Sequence, residues 1–178
     1  MSPGELDRDR IERFLDRAAR ELTGRWVVVG GAAAAVWFAA ERTTQDIDII
    51  GSDGTNAERL HLLEVADAEG LPIETVNTGA DYYVRRTAGW DTEVIELRRG
   101  ANATIYRPTA TMYLLLKLAR LSEQDLDDCL ALLAWCAATG EPIDRARIAA
   151  ALTASAGGDA VRRARLAEAL GGRISSSE

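Results

Sequence analysis

The stretch Trp26-Val27-Val28-Val29-Gly30-Gly31-Ala32, answered at Arg42-Thr43-Thr44-Gln45-Asp46-Ile47-Asp48-Ile49-Ile50, decides how this chain reads. Trp26 to Val29 is short, apolar and rich in β-branched residues, as a buried strand should be. Two glycines stop it and a helix opens at once, because Ala32 to Ala40 is dominated by the best helix former. Glycines let the backbone come close to a ligand at a point where unpaired N–H groups and the positive end of the helix dipole face outward. From Gln45 to Ile50 polar and apolar residues alternate. Ile47 and Ile49 are therefore expected in the core of a second strand, with Asp46 and Asp48 projecting together from its other face.

Two neighbouring carboxylates repel each other unless a cation bridges them, and Mg²⁺ favours one or two protein carboxylates completed by phosphate oxygens. The pattern predicts a site for a divalent cation, Mg²⁺ or Mn²⁺, and a polyphosphate. Phosphate would be received at Gly30 and Gly31, with Arg42 as the basic residue placed near them. Thr44 is expected to bind nearby or to brace the strand.

These residues resemble the nucleotidyltransferase fold of the polymerase-β-like superfamily. The string Arg-x-Thr-x-Asp-x-Asp, Arg42 to Asp48, is similar to that of small bacterial nucleotidyltransferase domains that include the AbiEii-type toxins of toxin–antitoxin and phage-abortive systems. A second block continues the likeness: Lys117-Leu118-Ala119-Arg120 is followed by Asp125-Leu126-Asp127-Asp128. The resemblance spans Trp26 to Trp135. It implies transfer of a nucleoside monophosphate from a nucleoside triphosphate to a hydroxyl, with Asp46 and Asp48 on the metal and Lys117, Asp125 and Asp128 in the catalytic machinery. The acceptor implied is RNA, a tRNA end among the candidates, or a protein, and a cognate antitoxin would be a partner. The superfamily places a third carboxylate on a neighbouring strand; Asp91, Glu93 and Glu96 are the candidates, and Glu96 is preferred. The residue after the glycine pair, commonly Ser or a small polar residue, is Ala32 here and offers only its N–H.

Helical geometry tests the second block independently. At about 100° per residue, Leu126, Cys129, Leu130, Leu133 and Cys136 form one apolar stripe with Asp125 and Asp128 on its flank and Asp127 opposite, in solvent. Lys117 falls between Leu114 and Leu121, at the edge of a buried face, where a charge requires a partner.

The 178 residues, 47% of them hydrophobic, suit one compact unit. The expected fold is α/β (α+β): a small mixed twisted β-sheet flanked by helices over residues 1–108, with a C-terminal helical extension over 109–178 packed on that core. Ser2-Pro3-Gly4-Glu5 reads as a capping box opening a first helix that runs to Gly24, and Ala57 to Glu69 as a further helix. Strands are expected at Ile73–Val76, Tyr82–Arg86, Thr92–Leu97 and Ala103–Tyr106. A break at Gly157-Gly158, a helix near Val161 to Leu170 and a frayed Ser-rich tail close the chain.

With 28 acidic against 21 basic residues, the net charge is −7 and the pI about 4.9. That argues against a broad electrostatic footprint on nucleic acid, although Arg85, Arg86, Arg98, Arg99 and Arg107 are candidates for a local basic patch. Cys129 and Cys136 are too far apart along one helix for a disulfide and read as reduced core thiols. The lone histidine, His61, excludes a zinc constellation and reads as a helix-surface residue. The uncharged run Trp26 to Ala40 is too short to span a membrane and no secretory signal opens the chain, so a cytoplasmic location is expected. Two other readings stay open: a nucleotidyltransferase acting on an aminoglycoside-like antibiotic, and a catalytically degenerate nucleotide- or partner-binding module.

Overall fold

Helix α1 (Arg8–Glu21) lays Ile11, Phe14, Leu15, Ala18 and Ala19 against the rest of the chain, with Asp7 accepting the Arg10 N–H at its N-terminus. The computed structural model describes residues 5–155 and 158–171, so the capping box expected at Ser2 to Glu5 lies largely outside the described residues; the cap that is seen belongs to Asp7. Strand β1 (Gly24–Val28) follows. Helix α2 (Gly30–Trp37) starts directly after it and is buried on all sides from Ala32 to Val36, as a helix apolar all round must be.

Strand β2 (Ile47–Gly51), helix α3 (Asn56–Ala68), a 3₁₀ turn (Ile73–Thr75) and the two-residue strand β3 (Val76–Asn77) come next. After the short helix α4 (Asp81–Val84) come strands β4 (Val94–Arg99) and β5 (Ala103–Pro108). Four helices complete the described chain: α5 (Ala110–Leu118), α6 (Glu123–Thr139), α7 (Arg145–Ala154) and α8 (Ala160–Gly171).

The five strands form one open mixed sheet in the order β3-β2-β1-β5-β4. β1 runs antiparallel to β2 and parallel to β5, β3 runs parallel to β2, and β4 is antiparallel to β5. Alternation sends Trp26, Val28, Ile47, Ile49 and Ile105 into one buried cluster that extends from Leu6 to Leu170. Val27, Val29 and Ile50 point to the other face, where Val84, Trp90 and Met112 cover them. The expected mixed sheet flanked by helices is thus observed.

Two expected strands differ. Tyr82–Arg86 has strand-like composition but forms α4 and its C-cap, because Arg59 and Arg85 both pair with Asp81 and Arg85 reaches the carbonyls of Gly51 and Ser52. The local i,i+4 pair Asp81–Arg85, together with the tertiary bonds from Arg59 and to Gly51 and Ser52, outweighs the weak local β preference of two tyrosines. Ile73–Val76 is mostly the 3₁₀ turn, leaving only Val76 and Asn77 to pair with β2. The arginines do not gather into a patch either: Arg98 pairs with Glu12 and Asp16, Arg99 with Glu96, and Arg107 with Glu141. Gly158 has φ +74°, while Gly157 and the Ser-rich tail lie outside the described residues.

Candidate functional site

The turn between β1 and α2 borders a cleft of about 520 Å³ whose walls include Val29, Gly30, Asp46, Asp48, Asn77, Tyr83, Lys117 and Arg120. Gly30 sits at φ +63°, and a Cβ there would stand 2.7 Å from Asp48 Oδ2. A Cβ on Gly31 would meet Thr44 Oγ1 at 2.7 Å and Arg42 Nη2 at 3.0 Å. A Cβ at either position would force a neighbouring side chain to shift, and Gly30 is favoured as well by its left-handed backbone.

Asp46 lies at the entrance to β2 and Asp48 inside it, and both line the cleft, as alternation predicts. Neither forms an ion pair among the described residues; Asp46 Oδ1 only accepts a 3.4 Å hydrogen bond from Thr44 Oγ1. Burial, and then the Asp46 charge, push the Asp48 carboxyl up to about 6, against an opposing pull from Lys117 and Arg120. Thr44 itself is held by backbone hydrogen bonds to Leu6 in both directions, so it braces the strand entrance.

The second block assembles behind this pair. Lys117 on α5, 8% exposed, donates from Nζ to Asp125 Oδ1 and to Asp128 Oδ2, both at 2.9 Å. Arg42 reaches Asp128 from the loop before β2, with Nη2 donating to Oδ2 at 3.1 Å and Nε 2.8 Å from Oδ1. Asp125 also accepts two bonds from Arg120 and, as the third residue of α6, the N–H and hydroxyl of Ser122 in a capping box. Although burial opposes it, these donors hold the Asp125 carboxyl well below the usual carboxylate range. Asp127 is exposed, as expected.

Asp125 and Asp128 thus do structural work first. They convert the Lys117, Arg120 and Arg42 side chains into a fixed cationic wall beside the aspartate pair. Of these cations, Lys117 and Arg120 line the cleft, and the Arg120 side chain is 75% exposed.

Glu96 is not brought to this group. It lies on β4, at the sheet edge remote from β2, half-exposed and paired with Arg99, which lowers its pKa. Glu93 pairs with Arg147. On β3, one of the two strands beside β2, the residue in register with Asp48 is Asn77, which also lines the cleft and whose Oδ1 accepts the Gly79 N–H at 2.5 Å. Three contributors escaped the sequence reading: Asn77, Tyr83 and Tyr113, whose hydroxyl is 3.1 Å from Gly30 O and 3.4 Å from Asp128 Oδ2 and donates to one at a time. Burial and the nearby carboxylates raise the Tyr113 pKa, keeping that donor protonated. Only the position of Tyr113, three to four residues before Leu116 and Lys117 on one helix face, could have signalled it.

Cys129 and Cys136 are buried free thiols, with Cys129 pushed up to about 12 by burial. No group of three or more His, Cys, Asp or Glu side chains suited to a metal occurs among the described residues. No described helix is long and apolar enough to cross a membrane.

No curated protein and no solved structure matches this sequence significantly. A family model matches residues 9–134, which take in the glycine turn, the aspartate pair, Lys117 and both aspartates of α6. The chain therefore belongs to the family described as a nucleotidyltransferase of unknown function (DUF6036).

Proposed function

We propose that the chain is a Mg²⁺- or Mn²⁺-dependent nucleotidyltransferase that moves a nucleoside monophosphate from a nucleoside triphosphate to a hydroxyl of RNA, a tRNA end included, or of a protein. The observation that carries this reading is the shared cleft: Asp46 and Asp48, without ion pairs among the described residues, face it beside a glycine turn where an added Cβ would crowd Asp48 and Thr44. Three cations (Arg42, Lys117, Arg120) stand against four carboxylates (Asp46, Asp48, Asp125, Asp128), so the cluster is one negative charge in excess before a ligand arrives.

The donor set suits a hard divalent cation that completes its shell with water and phosphate oxygens: two carboxylates, with Asn77 in register beside Asp48, its Oδ1 already accepting the Gly79 N–H and keeping one lone pair for a further contact. Asp46 and Asp48 would hold it, and it would supply charge neutralisation at the phosphates. The chain's own groups do the rest. The N–H groups at the start of α2 and the side chains of Lys117 and Arg120 bind and orient the triphosphate. The acceptor oxygen then forms a bond to the α-phosphorus, the bond from that phosphorus to the β-phosphate bridge oxygen breaks, pyrophosphate leaves and the hydroxyl proton is released. Arg42 acts one step back, by fixing Asp128 and the entrance to β2.

By its likeness to AbiEii-type domains the protein would be a cytoplasmic toxin of a toxin–antitoxin or phage-defence system with a cognate antitoxin. The test is incubation with each α-labelled nucleoside triphosphate, Mg²⁺ and total tRNA or cell protein, beside Asp46→Asn. Label transfer that vanishes in Asp46→Asn is expected. Transfer only to an aminoglycoside would move the substrate class to small hydroxylated antibiotics, and no transfer with no metal-dependent nucleotide binding would leave a binding module.

A further inference from the structure

Tyr82 and Tyr83 are, at 62% and 67% exposed, among the most exposed large apolar side chains of the described residues. They are adjacent on α4, packed edge to face with ring centroids 5.3 Å apart, and Tyr83 lines the cleft that holds Asp46 and Asp48. Arg86 continues the row outward, its guanidinium 5.2 Å from the centre of the Tyr82 ring and hydrogen-bonded to that phenol. It has no ion pair among the described residues, unlike Arg59 and Arg85 beside it.

The inner face of the same short helix is anchored. Val84 is buried against Val27, Val29 and Ile50, Asp81 is held by Arg59 and Arg85, and Arg85 is bonded to the end of β2 and lies over Trp90. A fold that ties down one side of a four-residue helix while leaving two aromatic rings in water, at the rim of a polar cleft, presents two ring faces set 86° to one another, each open to a flat ligand. Planar heteroaromatic rings stack on such surfaces whatever their hydrogen-bonding edge, and an adjacent arginine adds cation–π attraction and a charge for the sugar-phosphate backbone.

We propose that Tyr82, Tyr83 and Arg86 form a stacking platform for a nucleobase at the mouth of the cleft. The base belongs either to the nucleoside triphosphate or to an unpaired nucleotide of a polynucleotide acceptor. The inference rests on the nucleotidyl-transfer reading for its ligand class but not on catalysis for its test.

Binding is measured with wild-type chain, Tyr83→Ala, the double variant Tyr82→Ala/Tyr83→Ala and Tyr83→Phe. The probes are each nucleoside triphosphate with Mg²⁺, and separately a short unstructured RNA oligonucleotide, its abasic counterpart and its duplex, all without Mg²⁺ or triphosphate. The expected result is a roughly five- to 150-fold loss of affinity for the free nucleotide or for the single strand in the alanine variants, retained in Tyr83→Phe. Which of the two probes loses affinity assigns the base to its source. A 2-aminopurine placed in the affected probe should be quenched by the wild-type chain, a readout that needs no variant to fold. Unchanged affinity for every probe, an equal loss for the abasic strand, or no quenching overturns the platform. In that event Asp46-dependent label transfer would still stand, whereas stacking without any transfer would remove only the catalytic reading.

Discussion

Asp128 on α6 grips Arg42, 86 residues upstream on the loop into β2, with Arg42 Nε 2.8 Å from its Oδ1 and Nη2 donating to its Oδ2 at 3.1 Å. Two distant stretches of sequence are joined by this pair into one site. Asp128 also accepts from Lys117, so the loop that delivers Asp46 and Asp48 and the helix that delivers the cationic wall share one anchor. The proposed chemistry would therefore be coupled to stability at Asp128.

Lys117→Met should show that coupling. It leaves Asp125 with Arg120 and Ser122, and Asp128 with Arg42, so the buried carboxylates are under-compensated rather than abandoned. A loss of about 2–4 kcal/mol in urea unfolding is expected, near the low end of breaking a buried pair. Label transfer should fall further than the unfolded fraction explains, because Lys117 also lines the cleft.

Gly30→Ala combines an unfavourable φ of +63° with a Cβ 2.7 Å from Asp48 Oδ2. The expected destabilisation is about 1–3 kcal/mol from the backbone conformation alone. Displacement of Asp48 should abolish metal-dependent nucleotide binding, read by calorimetry, even at temperatures where the variant is fully folded.

In metal-free protein, ionised Asp48 opposes folding, since its folded pKa of about 6 lies above the ordinary value of 3.8. Between those values the native state binds the proton more tightly than the unfolded chain, so this group's favourable contribution is complete below pH 3.8 and is lost as pH rises through 6. Asp48→Asn should therefore raise the melting temperature at pH 7.5, by about 1–3 kcal/mol of stability, and the gain should shrink as pH falls toward 4. Mg²⁺ should raise the melting temperature of wild-type protein at pH 7.5 and leave Asp48→Asn nearly unaffected.

Glu96→Ala separates the edge strand from the cleft. Exposed and paired only locally with Arg99, Glu96 should be dispensable for label transfer and for the melting temperature. Asn77→Ala should instead weaken metal-dependent nucleotide binding while leaving binding in the absence of metal unchanged. If Glu96→Ala alone abolished transfer, the cleft would have been located on the wrong side of the sheet.

Local chemistry was enough to read the β1–glycine–α2 unit, the alternation of β2 and the amphipathic stripe of α6, because each depends on neighbours two to four residues apart. Thus Ile47 and Ile49 are fully buried, while Asp46 and Asp48 line the cleft. What the chain's order could not reveal was which strand lies beside β2. Sheet order is set by long-range packing, and it places Asn77 rather than Glu96 next to Asp48. The helical state of Tyr82 and Tyr83 likewise depends on Arg59 reaching Asp81 and Arg85 reaching the carbonyls of Gly51 and Ser52, and the roles of Asp125 and Asp128 on cations that arrive from other elements. Periodicity determines which face a side chain takes on its own element; only the folded chain determines what stands opposite.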